Sequence, residues 1–270
     1  MSRRRDLGRK LDSLKDIEGI MAAMKSLAFM ETRKLASFLL AQQRAVKSIE
    51  EAAGDFSNFY GSALREVKEI CLLIGSERGL CGDFNEKVLL EAELGRPVVA
   101  IGSRLESKLS EPLALFPGAN VAEEVEAILT AVVDFFATLQ GKLPQEEVIG
   151  ISAFYHNEEH GKIMKRRLLP LPQTSGKTYS HPPLLNVDPA DFFEKLSEHY
   201  LYAALHEALY SSLMVENRYR LDHMENAMRQ MDKKIGSLGK RYNELRQEEI
   251  TEEIEVIMLS VGLDDGVSVC

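Results

Sequence analysis

Residues 193–245 read FEKLSEHYLYAALHEALYSSLMVENRYRLDHMENAMRQMDKKIGSLGKRYNEL, and apolar side chains recur in them at alternating steps of three and four. These side chains are Phe193, Leu196, Tyr200, Ala203, Tyr210, Met214, Leu221, Met224, Met228, Met231, Ile235, Leu238, Tyr242 and Leu245. Only Glu207 and Asn217 interrupt the series. A repeat of 3.5 residues held over about seven heptads predicts a coiled coil, which needs a long helical partner. The alternative is one long amphipathic helix within a bundle.

The first sixty residues contain a similar apolar stripe, broken only by Glu31 and Gln42, and no proline occurs before Pro97. The stripe is formed by Leu7, Leu11, Leu14, Ile17, Met21, Met24, Ala28, Leu35, Leu39, Val46, Ile49, Ala53, Phe56 and Tyr60. We therefore expect a helix from about residue 3 to 60 to pair antiparallel with one from about residue 189 to 263. Residues 1–62 and 188–263 would then form a shaft, followed by a tail at 264–270.

The segment between the two helices has a different periodicity. Short apolar runs at 69–75 and 97–102 predict buried strands, and helical patterns follow them at 84–94 and 121–139. Strands that alternate with helices indicate a parallel sheet. Two further strands, at 148–155 and 162–169, flank a turn and predict a hairpin. The fold class is thus α plus α/β: a long antiparallel two-helix coiled coil with a small Rossmann-like α/β domain, residues 66–186, inserted between its helices.

The two predicted helices have unequal lengths. At about 1.5 Å per residue they span about 85 Å and about 110 Å, so residue 3 would lie opposite about residue 247. Beyond that point apolar side chains surround the last helix. A helix that is apolar on nearly all sides has to be enclosed, and leaving these side chains in water would cost on the order of 10 kcal/mol. We expect the tip to enter a socket in another protein, although a self-associating tip would have the same sequence. The tip residues are Ile250, Ile254, Ile257, Met258 and Val261.

Composition excludes several classes of function. With 45% hydrophobic and 28% charged residues the chain resembles an ordinary soluble protein, and no apolar run reaches the length of a membrane span. A net charge of −9 argues against nucleic acid as a partner. The charged start predicts no secretory signal. Three scattered cysteines, Cys71, Cys81 and Cys270, fit a reducing cytoplasm better than a disulfide framework.

Residues 76–82 (SERGLCG), followed by Asn85, are similar to the loop Ser/Thr-Asp-Arg-Gly-Leu-Cys-Gly followed by Asn in the gamma subunit of F-type ATP synthases, a family that two further stretches of this chain also resemble. Residues 168–172 (LLPLP) look like its segment after the hairpin. Residues 242–254 (YNELRQEEITEEI) look like its Tyr-Asn-x-x-Arg-Gln-x-x-Ile-Thr-x-Glu-Ile/Leu, which is long and specific. The three stretches are spread from residue 76 to residue 254, and with the two long helices the resemblance covers nearly the whole chain.

The resemblance implies a rotor shaft without a catalytic site, cofactor or metal of its own. The shaft would sit in a ring of alternating alpha and beta subunits, with an epsilon subunit as a further partner and its α/β foot on the membrane c-ring. The complex would lie at the cytoplasmic face of a bacterial or archaeal plasma membrane, with this subunit peripheral and not spanning it. Whether protons or sodium ions drive it, and in which direction it mainly runs, is decided in other subunits.

The resemblance also implies roles for individual residues. Arg246, Gln247 and Thr251 would grip a loop of the catalytic subunits, and Met24 would lie near an acidic lever of those subunits. The loop residues carried over from the family are Ser76, Arg78, Gly79, Leu80, Cys81 and Gly82. Three departures stand out: residues 19–24 (GIMAAM) lack two lysines of the family pattern, Glu77 replaces an aspartate, and the region following Glu216 is diverged. They suggest a divergent or second-copy synthase.

Four local patterns suggest other chemistry. Residues 156–160 (HNEEH) match a zinc-peptidase variant, but that pattern requires a helix and lies here at a predicted turn. Residues 175–178 (SGKT) lack the glycine and the flanking elements of a phosphate loop. The loop 75–82 lacks the glycine spacing of a dinucleotide turn. Cys81 near Arg78 could be an activated thiol, but a packed structural cysteine is the simpler interpretation.

Two rival functions stay open from the residues alone. One is a homo-oligomeric coiled-coil scaffold whose apolar tips bundle together, and the other is an enzyme that uses the α/β domain. A stable symmetric oligomer of the isolated chain would favour the scaffold, and turnover or nucleotide binding would favour the enzyme.

Overall fold

The computed structural model describes residues 3–60, 66–92, 95–144, 147–157, 162–172 and 180–264, except for the side chains of 66 and 260–264. A long helix at each end of the chain flanks a mixed α/β segment. In chain order the elements are α1 (Arg3–Ser57), β1 (Glu66–Ile74), α2 (Phe84–Glu91), β2 (Val98–Ile101), β3 (Ala114–Phe116), α3 (Val125–Gln140), β4 (Glu147–His156), β5 (Ile163–Leu169) and α4 (Pro189–Asp264). Two short 3₁₀ helices, Ser103–Lys108 and Ala122–Glu124, lie between them.

The sheet has five strands in the order β3-β2-β1-β4-β5. The first four are mutually parallel, and β5 pairs antiparallel with β4 as the sequence predicted for the hairpin. The turn predicted at 158–161 lies outside the described residues. Strand β3 and the 3₁₀ helix before it were missed by the sequence analysis, because a three-residue edge strand is too short to show a period.

Alternate side chains of the strands enter two apolar layers, as the two-residue period of a strand requires. Cys71, Leu73 and Phe154 face α2 and pack with Val88. The opposite face packs against α3 and parts of the long helices. That larger core includes Ile70, Leu72, Ile74, Val99, Ile151, Tyr155, Val125, Leu129, Val132, Leu35, Leu39, Val46, Tyr200, Ala204 and Leu205.

Local capping starts α4 where the sequence predicted. Asp188 accepts a hydrogen bond from the backbone amide of Ala190 at 2.8 Å, and Pro189 occupies the first helical position, where its missing N–H costs nothing. Near this start, Phe56 from the end of α1 lies 5.2 Å from Phe192 and 5.9 Å from Phe193, measured between ring centroids. The aromatic contacts hold the end of α1 beside the start of α4.

The chain divides into two compact units. One is Leu27–His223, which contains the sheet, α2, α3 and the adjoining parts of both long helices. The other consists of the N-terminal segment up to Ser26 and the C-terminal segment from Met224. Within this second unit Arg4 lies 2.8 Å from Glu249, and Lys25 lies 3.7 Å from Glu225, measured between charged atoms. The order of these ion pairs means that the two segments run in opposite directions.

Burial along the second unit follows the predicted apolar stripe. On α4 the half-buried positions include Met228, Met231, Ile235, Leu238, Tyr242 and Leu245, while most residues between them are exposed. On α1 the stripe positions Leu7, Leu14, Met21 and Met24 are half-buried and Leu11 is buried. Ile17 differs, because 45% of it remains exposed while the neighbouring Glu18 is partly covered. The 3.6-residue turn of the helix displaces one stripe position from a strict 3.5-residue repeat.

Residues 200–217 of α4 are enclosed on more sides than a single stripe predicts, since most of them are buried. Small residues permit this close packing. The hydroxyl of Ser211 donates to the carbonyl of His156 at 3.0 Å, and that of Ser212 donates to the carbonyl of Ile74 at 3.5 Å. These serines therefore attach α4 to the carboxyl ends of β4 and β1.

Candidate functional site

The loop 75–82 connects β1 to α2 through a buried polar contact. The side-chain oxygen of Asn85 accepts from the backbone amide of Ser76 at 2.9 Å, and its amide nitrogen donates to the Ser76 hydroxyl at 2.8 Å. A side chain at Gly75 would place its Cβ 2.6 Å from Leu105, so this position requires glycine. Leu80 at φ 65° and Gly82 at φ 61° complete the tight turn. Asn85 thus fixes the loop on the sheet.

Cys81 from this loop is packed against α4 and is not activated. It lies 4% exposed in a small cluster with Phe84 and Val215. Burial raises the pKa of the thiol above its ordinary value, against the opposing effect of a hydrogen bond to Ser76. A raised pKa disfavours the thiolate, so the cysteine behaves as an apolar packing group. The thiol contacts the backbone carbonyl of Arg78 at 3.6 Å, while the Arg78 side chain is exposed.

The carboxylate of Glu77 fills the crevice at the carboxyl ends of the parallel strands. It accepts from the backbone amides of Ser103 at 3.0 Å and Gly118 at 2.7 Å, and from the Ser103 hydroxyl at 2.8 Å. Partial burial opposes ionisation, but these donors and Arg104 lower the pKa of Glu77 overall. In doubly wound folds such amides at this edge bind a ligand's phosphate. Here the chain's own carboxylate occupies them.

A buried ion pair on α4 contacts the loop 75–82 through the backbone amide of Arg78. Glu216 is 3% exposed and pairs with Arg220, which donates a second bond to the side-chain oxygen of Asn217 at 2.6 Å. Burial raises the pKa of Glu216, while Arg220 and the backbone amide of Arg78 favour its ionised form. Asn217, which interrupts the apolar series, therefore forms part of this buried polar cluster.

The His-x-x-Glu-His pattern does not form a zinc site in the described residues. His156 ends β4, is 1% exposed, and its ring lies 3.9 Å from that of Phe84, centroid to centroid. Its Nε2 is hydrogen-bonded to the Phe84 carbonyl at 2.9 Å, and burial lowers its pKa. His160 lies outside the described residues, as does the segment 175–178. Across the described parts of the chain no three His, Cys, Asp or Glu residues cluster as metal ligands.

The residues expected to grip catalytic subunits lie on the surface of the second unit. Arg246, Gln247 and Thr251 are exposed on α4, and the Thr251 hydroxyl donates back to the Gln247 carbonyl at 2.9 Å. Gln247 and Thr251 share one helix face, being four residues apart. Met24 is half-buried on α1. No contact in the described chain brings these four residues together into one site.

The apolar tip of α4 is exposed. Ile254 is 51% exposed, Ile257 61% and Met258 71%, and Ile250 is 44% exposed. The side chain of Val261 lies outside the described part of the chain. Val256 and Leu259, at 66% and 69%, add to the same surface. Large apolar side chains in such a group mark an interaction surface.

The polar residues that interrupt the two apolar stripes bind other elements. Glu31 on α1 accepts from the backbone amide of Ala122 at 3.2 Å, at the start of a 3₁₀ helix. Gln42 donates to the carbonyl of Ala203 on α4 at 3.1 Å. In the sequence, Glu31 and Gln42 only interrupt the apolar repeat. Their position on an apolar face was the available signal that each has a buried partner.

Comparison with known proteins assigns the chain to a family. A profile described as ATP synthase matches residues 3–261, which is nearly the whole sequence. The chain belongs to the ATP synthase family. It is 24% identical to the ATP synthase gamma chain of Clostridium perfringens, over 94% of this chain and 95% of that protein. With the gamma chain of Methylacidiphilum infernorum it shares 26% identity, over 94% and 96% of the two chains.

Solved structures agree with this assignment at the level of the fold. The rotor of the Euglena gracilis mitochondrial ATP synthase matches with a TM-score of 0.64 and 14% identity, over 92% of this chain and 98% of that one. The ATP synthase match confirms the predicted resemblance and the long C-terminal helix beside a small mixed sheet. It also confirms a non-catalytic subunit, and it favours the rotor interpretation over a homo-oligomeric scaffold. No described helix has an apolar stretch long enough to cross a bilayer.

Proposed function

We propose that this chain is the central rotor shaft of an F-type ATP synthase, coupling ion flow through a membrane ring to ATP synthesis or hydrolysis in a catalytic ring. The observation that carries the proposal is the match to the ATP synthase family over residues 3–261, with both long helices included. Relatives over nearly the full length are gamma chains.

The shaft would be an antiparallel coiled coil of residues 1–62 and 188–263, with residues 66–186 as its α/β foot. Two observations support this arrangement: the half-buried positions of α4 follow the alternating three- and four-residue repeat, and the ion pairs Arg4–Glu249 and Lys25–Glu225 run in opposite sequence order. Knobs-into-holes packing follows from such a repeat.

Rotation needs no chemistry from the shaft itself. An asymmetric shaft contacts each catalytic site differently, and only such differential interaction shifts a conformational equilibrium. Arg246, Gln247 and Thr251, with Met24, would provide contacts to the catalytic subunits. Their exposure, or partial exposure for Met24, leaves them accessible to a partner.

The tip residues Ile250, Ile254, Ile257, Met258 and Val261 would enter a socket formed by the alpha and beta subunits. The foot would bind the epsilon subunit and the c-ring. One Euglena gracilis structure that this chain resembles is described as containing OSCP, F1 and the c-ring. The assembly would place this subunit peripherally at the cytoplasmic face of a bacterial or archaeal plasma membrane.

Co-expression with the alpha and beta subunits encoded in the same genome tests the proposal. We expect a complex that hydrolyses ATP and contains this chain, and we expect a chain truncated after Arg246 to assemble less well while its α/β domain stays folded. Circular dichroism of the truncated chain provides the folding control. If the isolated chain forms a stable symmetric oligomer and does not bind the alpha and beta subunits, the homo-oligomeric scaffold is supported instead.

A further inference from the structure

Arg166 on β5 binds one carboxylate from each long helix. Its NH1 lies 2.7 Å from Oε2 of Glu207 on α4, and its NH2 lies 2.6 Å from Oε1 of Glu50 on α1. A single guanidinium therefore connects the sheet to both helices. All three side chains belong to the unit Leu27–His223.

The cluster is closed by an aromatic side chain. The Tyr200 hydroxyl on α4 donates to the same Glu50 oxygen at 3.2 Å, and the Arg166 guanidinium lies 6.0 Å from the centre of the Tyr200 ring. Arg166, Glu207 and Glu50 are respectively 14%, 12% and 29% exposed at their side chains. Burial raises the pKa of Tyr200 to about 12, which further favours the protonated hydroxyl that donates this hydrogen bond.

Glu207 occupies a position that the apolar repeat of α4 would otherwise assign to a hydrophobic side chain. A carboxylate there weakens helix packing unless it has a partner, and the structure places Arg166 against it. Buried ion pairs contribute little net stability compared with apolar residues of similar size, and their best-attested role is to specify one arrangement. We therefore expect this ion pair to fix the orientation of the sheet relative to the helices.

We propose that the Arg166–Glu50–Glu207 cluster fixes the angular position of the α/β foot on the two helices, so that Arg166 is a positioning residue for torque transmission. This inference rests on the rotor function proposed above. Apolar contacts between the sheet and the helices are non-directional and permit small slips. A planar guanidinium with two carboxylates has fixed geometry, so a rotation of either helix breaks a hydrogen bond.

The test uses the complete synthase reconstituted in vesicles, with ATP hydrolysis and ion transport measured on the same preparation. In Arg166→Met we expect ATP hydrolysis close to wild type and ion transport per ATP reduced to about half or less, because a buried charge without its partner loosens the cluster. Arg167→Met is the matched control. Arg167 is the next residue on β5 but pairs with Glu69 within the sheet, so its variant should couple normally.

A second variant separates orientation from folding. In Glu50→Gln/Arg166→Met/Glu207→Gln no carboxylate of the cluster is left unpaired, so the complex should assemble and still transport fewer ions per ATP. Normal transport per ATP in either assembled variant would overturn the proposal. So would failure of both variants to assemble, because the cluster would then serve folding alone. Failure of the wild-type chain to assemble with alpha and beta subunits would instead contradict the rotor function itself.

Discussion

At the scale of single residues, some charged side chains connect segments of the chain whose proximity the apolar pattern does not predict. Glu77 is the clearest example, because its carboxylate joins the ends of β1, β2 and β3 through Ser103 and Gly118. From the sequence it was only a replacement for an aspartate. Its longer side chain reaches two loops that are distant in sequence, and the strand order brings those loops together.

Glu77→Gln should lower the free energy of unfolding at pH 7 by about 1–3 kcal/mol, because a charge-assisted acceptor is replaced by a neutral one. The folded pKa of Glu77 lies below its ordinary value of 4.5, so its stabilisation is present above that pH and is lost as the pH falls further. The difference between wild type and variant should therefore shrink in acid. Urea unfolding of the isolated chain between pH 3 and pH 7 measures it.

Glu106→Gln supplies the control for this prediction. Glu106 lies on the 3₁₀ helix Ser103–Lys108 and is exposed, so its replacement should leave the unfolding free energy nearly unchanged. Equal stability of the Glu77 variant and wild type at pH 7 would contradict the role assigned to the carboxylate.

At the scale of elements, α4 combines two kinds of helix in one. Residues 200–217 are buried on most sides between the sheet and α1, whereas between residues 225 and 249 only about every third or fourth position is half-buried. The sequence of the first part contains small residues such as Ala203, Ala204 and Ser211, which allow close approach. The second part contains methionines and charged residues, as expected of a helix covered on one face.

Gly236 and Gly239 lie in the second part of α4, and a Cβ at either position would meet no atom within 4 Å. They therefore do not serve a close approach to α1. Replacing each by alanine should stabilise the helix by about 1 kcal/mol, because alanine has the higher helix propensity. Thermal unfolding followed by the helical circular dichroism signal checks this prediction.

Gly150 on β4 provides a contrast with the same substitution. Its Cβ would lie 2.5 Å from Val67, so Gly150→Ala should lower the unfolding temperature. A loss of stability in Gly236→Ala or Gly239→Ala would mean that these positions need a bend or a conformation that alanine disfavours.

At the scale of the whole molecule, the buried apolar side chains stabilise the fold, whereas the exposed apolar side chains at the tip of α4 are available to bind a partner. The described tip side chains are exposed, so the fold does not depend on them. Burial of one such side chain on binding is worth about 1.5–3 kcal/mol. The contribution of these residues should therefore appear in assembly and not in the stability of the isolated chain.

Ile254→Asp/Ile257→Asp tests this separation. We expect the unfolding temperature of the isolated chain to stay close to wild type and the affinity for the alpha and beta subunits to fall at least about tenfold, because each charge would be desolvated in an apolar socket. Binding of the labelled chain to the purified catalytic ring measures the affinity. Ser237→Asp/Asn243→Asp adds the same two negative charges at exposed polar positions of α4 and controls for charge alone. Wild-type affinity of the Ile254→Asp/Ile257→Asp variant would exclude the socket.

The sequence by itself determined the bounds of both long helices, the strand–helix alternation, the hairpin pairing and the exposed apolar end. These features follow from local periodicity and capping, which nearby residues impose. Only the tertiary structure decided the partners of the polar residues within the apolar stripes: Glu31 with Ala122, Gln42 with Ala203, and Glu207 with Arg166. Such partners are far apart in the chain, and no local period encodes which buried donor will meet which buried acceptor.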